Sequence, residues 1–90
     1  MRVMIRTENF VKNLTFLRKQ YHLTYRALGH LIGIPPHEVE YIEKCRMYAD
    51  LPAVSLARLC TIFEVSEEDL IHTDLSSLPF TSRIKSTLGY

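Results

Sequence analysis

The chain has 90 residues, which gives room for one domain with its own core and excludes a second domain. Hydrophobic residues make up 47% of it and charged residues 23%, with a net charge of +1, and this balance excludes a disordered chain. No apolar run approaches the roughly 18 residues of a membrane helix, and residues 1–6 lack the apolar stretch of a secretory signal, so we expect a cytoplasmic protein without a membrane partner.

The small net charge hides a separation of charge along the chain. Residues 1–46 hold eight Lys and Arg against four Asp and Glu, whereas residues 47–75 hold one Arg against six acids, and the tail from Ser76 adds Arg83 and Lys85. A basic end can dock an anionic partner. Chains of this size also show such asymmetry by chance, so charge alone does not choose the partner.

Helix-capping residues divide the chain into five helical segments and leave little room for strands. Thr7 is placed to cap the first helix, whose apolar residues recur at helical spacing and form one stripe: Phe10, Leu14, Leu17 and Tyr21. Thr24 is placed to cap a second, short helix that ends at Gly33, where a left-handed residue is favoured. The residues that should face the core from this helix are Ala27, Leu28, Leu31 and Ile32.

The third helix should begin near Pro36, because proline ends the helix before it and suits the first turn of a new one. Helical spacing places one group on its inner side, namely Val39, Ile42 and Arg46. The opposite side carries polar and aromatic residues: His37, Glu40, Tyr41 and Lys44. This helix therefore has a small apolar face and a large polar one.

Two further helices complete the predicted set. Asp50 is placed to cap the fourth, whose first turn tolerates Pro52 and whose inward residues should include Val54, Ala57, Leu59, Cys60, Ile62 and Phe63. Ser66 precedes three acids, which is typical of a strong helix start, and this fifth helix should bury Leu70 and Ile71.

The pattern predicts an all-α protein in three parts: an N-terminal arm at 1–6, a helical domain at 7–75, and a tail at 76–90 that is flexible or contacts a dimer partner. The tail leaves room for a short extra C-terminal helix through its apolar residues Leu78, Phe80, Ile84 and Leu88. Within the domain, residues 24–46 form two short helices joined by a tight turn, with a polar outer face on the second. That arrangement fits the major groove of DNA, although many small bundles contain such a corner without binding DNA.

A resemblance to a known family covers most of the chain, roughly from Phe10 to Leu75. The stretches that carry it are Leu17-Arg18-Lys19, Leu23-Thr24-Tyr25-Arg26-Ala27-Leu28, Ile32-Gly33-Ile34, Val39-Glu40-Tyr41-Ile42-Glu43 and Val65-Ser66-Glu67-Glu68-Asp69-Leu70. In order and spacing they resemble the phage-repressor (Xre/Cro) helix-turn-helix domains. The resemblance implies a five-helix, lambda-repressor-like bundle that binds operator DNA, usually as a dimer, with its third helix in the major groove.

The same resemblance implies roles for individual residues. Arg18 and Glu43 match a salt bridge between helices one and three, the alternative being two solvated surface charges. Thr24 and Tyr25 match the start of helix two, where the family holds a phosphate, and Arg26 follows them. The positions that match base-reading sites are Pro36, His37, Glu38 and Tyr41, and those that lie where phosphates run are Lys44 and Arg46.

The sequence also departs from the family pattern. Tyr25 replaces the usual glutamine, and Glu38 and Glu40 would bring negative charge toward DNA, so that residues 24–46 have no net charge. A phosphate grip would then draw on helix one, on an arm with Arg2 and Arg6, or on dimerisation. Gly29 replaces a small alanine, which should loosen helix two by roughly 1 kcal/mol. Cys45 stands where a turn glycine is common, and the loop at 47–49 is longer than usual.

No pattern in the sequence indicates catalysis. The four histidines show neither a pair at i, i+4 nor a cysteine at ligand spacing, and nucleophile, phosphate-loop and metalloprotease motifs are lacking. We therefore expect no catalytic residue, metal, cofactor or small-molecule substrate. The prediction is a sequence-specific transcriptional regulator, a repressor that binds double-stranded DNA with a two-fold operator as a homodimer. The alternative is a protein-interaction module, antirepressor or antitoxin-like, that keeps the bundle without binding DNA.

Overall fold

The computed structural model describes residues 1–45 and 48–77. Its elements in chain order are β1 (Arg2–Ile5), α1 (Glu8–Gln20), α2 (Tyr25–Ile32), α3 (Pro36–Cys45), β2 (Ala49–Pro52), α4 (Ala53–Phe63), α5 (Glu67–His72) and a short 3-10 helix (Leu75–Ser77). The predictions that lie outside the described residues are the inward placement and the phosphate contact of Arg46 and, beyond Ser77, the flexible or dimer-contacting tail with its short extra C-terminal helix.

The prediction of an all-α fold is wrong, because β1 and β2 form a two-stranded antiparallel sheet. Arg2 pairs with Pro52 and Ile5 with Ala49, so most of the expected N-terminal arm is a strand. Ile5, Ala49 and Leu51 are buried. Each strand has four residues, too few for its alternating pattern to stand out, and its partner lies almost fifty positions away.

Three predicted helix caps are confirmed. The hydroxyls of Thr7, Thr24 and Ser66 each accept a hydrogen bond from the backbone N–H three residues later. Gly33 ends α2 with a φ of 82°, in the left-handed region where glycine has no steric penalty. These features depend on residues at most three positions apart, so the sequence alone was enough to predict them.

The predicted start of α4 is wrong, and its predicted inner face is confirmed for Leu59 and Phe63 but wrong for three residues. Asp50 lies in β2, and the residue before α4 is Pro52, which makes no side-chain cap. Val54 is 56% exposed and Ile62 40% exposed, and Ala57 is exposed as well. Besides Leu59 and Phe63, α4 buries Ser55 and Leu56, which were not predicted to face inward.

Two other residues expected in the core lie nearer the surface. Leu31 on α2 is 38% exposed and Tyr21 after α1 is 47% exposed. The ring of Tyr21 nevertheless packs on Phe63, with 5.1 Å between ring centroids. Both residues therefore belong to the rim of the core.

The core lies between the five helices of the described chain, with the sheet closing one side. Its fully buried large apolar residues include Phe10, Leu14, Leu28, Ile32, Leu59 and Leu70. Two buried polar side chains connect the helices across it. Ser55 Oγ donates to the Ile32 carbonyl over 2.6 Å, and Asn13 Nδ2 donates to the carbonyls of Leu70 and Thr73 while its Oδ1 accepts from Leu75 N–H. Across residues 1–45 and 48–77, every helix is too short or too polar to cross a membrane.

Candidate nucleic-acid interface

α2, the turn after it and α3 form a rigid unit. The backbone N–H groups of Gly33 and Ile34 both donate to the Gly29 carbonyl, over 2.7 and 2.9 Å. Pro35 then provides the carbonyl that accepts from Glu38 N–H at the start of α3, over 3.0 Å. Backbone hydrogen bonds therefore connect the end of α2 to the turn and the turn to the start of α3.

Gly29 sets how closely the turn can approach α2. A Cβ atom at this position would lie 2.4 Å from the Ile34 carbonyl oxygen and 3.4 Å from the Pro36 nitrogen. The first distance is far inside van der Waals contact, and the obstructing atom is backbone, which cannot rotate away. The expectation that Gly29 merely loosens α2 is therefore incomplete, because only glycine allows this approach.

Arg18 and Glu43 form a two-pronged ion pair that joins α1 to α3. Arg18 Nε lies 2.7 Å from Glu43 Oε2, and Nη2 lies 2.9 Å from Oε1. The side chains are only 14% and 5% exposed, so they are not two solvated surface charges. The hydrogen bonds that Arg18 donates to Glu43 raise the pKa of Arg18 against the opposing effect of burial.

The same guanidinium connects the pair to the start of α2. Arg18 Nη1 donates to the Leu23 carbonyl over 3.1 Å, and its central carbon lies 4.5 Å from the centroid of the Tyr25 ring. One cation therefore contacts α1, α2 and α3 together, and α3 is anchored from behind.

The outer face of α3 is open to solvent. Pro36, His37 and Lys44 are exposed, and the side chain of Tyr41 has 61% of its surface free. The residues that α3 buries are Val39, Ile42 and Glu43. The structure thus brings the predicted base-reading residues onto one accessible helix, with Glu38 half-buried at its edge.

α3 carries three acids, and the two that were expected to repel DNA, Glu38 and Glu40, each have a cation of the same chain as partner. Arg2 Nη2 lies 3.6 Å from Glu38 Oε1, and Lys44 Nζ lies 2.5 Å from Glu40 Oε2. The hydrogen bond that Lys44 donates to Glu40 raises the pKa of Lys44. This pairing offsets the negative charge of α3, and it also occupies Lys44, which was expected to meet a phosphate.

Arg2 is held in the sheet instead of extending as a free arm. Its Nε lies 3.1 Å from Asp50 Oδ1 and its Nη2 donates to the Asp50 carbonyl over 3.1 Å. Sequence reasoning missed this contact, because it depends on the strand pairing. Arg6, the other cation of the expected arm, is exposed.

A shallow pocket of about 300 Å³ lies between α3 and the sheet. Its lining joins the predicted residues His37, Glu38 and Tyr41 to three that sequence reasoning did not single out for this face: Arg2, Tyr48 and Asp50. A hydrogen bond with Tyr41 raises the pKa of the Tyr48 hydroxyl. The candidate interface therefore extends from α3 onto β2.

The residues predicted to contact phosphate at the start of α2 differ in their exposure to solvent. Thr24 Oγ1 accepts from Ala27 N–H over 3.0 Å as a helix cap, and its residue remains exposed. Tyr25 is half-buried beneath Arg18, whereas Arg26 is exposed. Arg46, the last predicted contact, lies outside the described residues.

The other side chains with possible chemistry are the metal-ligand types and the thiols in the part of the chain that the structure covers. No group of three or more His, Cys, Asp or Glu there could hold a metal ion, and Cys45 and Cys60 are both free thiols. Burial raises the pKa of Cys60, which makes it a poor nucleophile. Comparison of the chain with known protein families, with curated proteins and with solved structures found no match.

Proposed function

We propose that this protein is a sequence-specific transcriptional regulator of the phage-repressor (Xre/Cro) helix-turn-helix type, a cytoplasmic repressor that binds duplex DNA through the outer face of α3. One observation carries the proposal: α3 is anchored from behind by the Arg18–Glu43 pair while its opposite face stays open. A helix that reads base edges needs both properties, because an error in its position misaligns every contact.

The exposed residues divide into two roles under this proposal. His37 and Tyr41 have hydrogen-bonding side chains on the open face of α3, where they meet base edges in the major groove. Arg26 and Lys44 carry positive charge on the flanks of the same unit and meet phosphates, with Thr24 and Tyr25 beside them. Pairing of Glu38 with Arg2 reduces the repulsion that this acid would exert on DNA.

The size of the unit favours a homodimer on a two-fold operator. A single module of this kind covers roughly 600–1,000 Å² of protein surface on DNA, which is the low end for specific binding. Two copies related by two-fold symmetry double the contacts and read two half-sites one helical turn apart.

The first test is titration of a random-sequence duplex pool with the full chain at two salt concentrations, followed by selection of the bound fragments. We expect binding that weakens as salt rises, and selected fragments that share a two-fold sequence. Arg26→Ala and Lys44→Ala should weaken binding on all duplexes, whereas His37→Ala and Tyr41→Ala should change the preferred bases.

A protein-interaction module without DNA binding is the second candidate. The observation in its favour is that Lys44 and Arg2 are already engaged with Glu40 and Glu38, which leaves few free cations on the α3 face. This candidate predicts no duplex binding even at low salt. An unchanged base preference after His37→Ala and Tyr41→Ala, with binding retained, would move the reading surface away from α3.

A further inference from the structure

A groove of about 730 Å³ runs along the other side of α3, between that helix and α1. Three lysines line it: Lys12 and Lys19 on α1, and Lys44 near the end of α3. Lys12 and Lys19 are seven positions apart, which is close to two helical turns, so they share one face of α1. We call this feature the lysine groove.

The two lysines on α1 are available to an anion. Both are exposed, and among residues 1–45 and 48–77 neither takes part in an ion pair. Arg18 and Glu43 also line the groove, but each neutralises the other. The two lysines on α1 therefore supply the positive charge of this surface that is available to an anion.

Three acids line the groove: Glu43 is paired with Arg18, and the other two, Glu8 and Asp74, lie toward the first half of α1. Glu8 lies in the first turn of α1, and Asp74 accepts hydrogen bonds from the backbone N–H and hydroxyl of Ser76. The chain neighbours of Asp74, Thr73 and Leu75, bond to Asn13 beside Lys12. Lys19 lies in the last turn of α1, and Lys44 lies in the last turn of α3. Charge is therefore mixed beside Lys12, whereas at the end bounded by α3 the described ion pairs involve Lys44 and Arg18 but not Lys19.

The position of Lys44 connects this groove to the proposed reading helix. Lys44 belongs both to the exposed side of α3 and to the lining of the groove. A DNA strand that borders the major groove around α3 therefore passes Lys44 and can continue toward Lys19. The Thr15 hydroxyl, also in the lining, is a further donor to phosphate oxygen.

We propose that the lysine groove binds the phosphate backbone of the same duplex whose base edges meet α3, with Lys19 and Lys12 each contacting a phosphate. This inference rests on the proposed function and adds a second contact surface to it. It supplies the electrostatic attraction that the balanced charges of residues 24–46 do not.

The test uses the salt dependence of binding, which counts phosphate contacts. Each contact contributes about 0.9 to the slope of log affinity against log salt. The double variant Lys12→Gln/Lys19→Gln should therefore lower the slope by about 1.8, so that its deficit against wild type shrinks roughly tenfold between 50 and 200 mM salt. Its preference among duplex sequences should stay as in wild type, because phosphates carry no base identity.

Arg58→Gln is the matched control, since Arg58 is exposed on α4 and does not line the lysine groove. Its slope should equal that of wild type, and thermal unfolding of all three proteins should coincide. If wild type binds DNA and the double variant lowers the slope by less than about 0.5, the lysine groove is not a phosphate site while the proposed function stands. If wild type binds no duplex at low salt, the proposed function and this inference are both overturned.

Discussion

α3 and α4 have nearly equal length but divide their surfaces in different ways. α3 buries Val39 and Ile42 on a narrow inner face and shows polar and aromatic side chains on the other. α4 carries apolar residues on both faces, with Leu59 fully buried and Val54 more than half exposed. The comparison teaches that charged side chains, more than apolar ones, reveal which way a helix faces.

The difference follows from the cost of burial. A charged side chain cannot enter the core without a partner, so a charge that lacks a buried partner marks the outside of a helix, whereas Glu43 is buried because Arg18 pairs with it. An apolar side chain on the surface has little cost, so its position marks neither side. On α3 the unburied residues include two acids and a lysine, whereas on α4 the first exposed residues are Val54 and Ala57.

The largest expected effect tests the orientation of α4. Leu59→Ala should lower the free energy of unfolding by about 3–4 kcal/mol, because Leu59 is fully buried and its removal leaves a cavity. Ile62→Ala on the same helix should cost less than about 1 kcal/mol, since this side chain is 40% exposed. Urea denaturation of both variants measures the difference. Equal losses would mean that α4 is rotated from the face described above.

The same contrast explains what could be predicted from the sequence. The caps at Thr7, Thr24 and Ser66 depend on atoms three residues apart, and Gly33 depends on its own backbone angle. The sheet between β1 and β2 depends on residues nearly fifty positions apart, and no local pattern contains that information. The later start of α4 follows from this sheet, because β2 leads directly into α4 and takes Asp50 away from the helix start.

In the candidate site, too, the features that depend on nearby residues could be predicted, and those that depend on the tertiary structure could not. The exposure of His37 and Tyr41 followed from helical spacing, and the Arg18–Glu43 contact from a resemblance in order and spacing. The engagement of Arg2 with Asp50 and Glu38 could not be predicted, because it requires the sheet to bring the amino terminus beside α3. The close approach at Gly29 was equally hidden, since its cause is the path of the next turn.

The second expected effect concerns the anchor of α3. Arg18→Met should lower the free energy of unfolding by about 3 kcal/mol, because it leaves Glu43 as an unpaired, buried carboxylate. The double variant Arg18→Met/Glu43→Leu should recover much of that loss, since neither charge remains to be solvated. Denaturation of the two single variants and the double variant gives the coupling between the residues.

Lys44→Ala provides the control for the anchor, because it removes an ion pair that lies in solvent. Its melting temperature should match that of wild type. Additive losses in the Arg18 and Glu43 variants, with no recovery in the double variant, would mean that the two residues act separately. In that case α3 would be held by its apolar contacts alone.

The smallest effect, and the one with the most informative sign, concerns Gly29. Helix propensity alone predicts that Gly29→Ala stabilises α2 by about 1 kcal/mol. The added methyl would however lie 2.4 Å from the Ile34 carbonyl oxygen, and separating them must shift the turn that sets the position of α3. We expect this strain to exceed the gain in propensity and leave a net loss of about 1–2 kcal/mol in the free energy of unfolding.

His30→Ala, one residue further along on an exposed position, should instead stabilise the protein slightly by helix propensity. Gly29→Ala should also weaken duplex binding more than its stability loss explains, because the reading helix moves. A stabilised Gly29→Ala protein with unchanged binding would show that the turn has room for the methyl, and that the relation between α2 and α3 is looser than this contact implies.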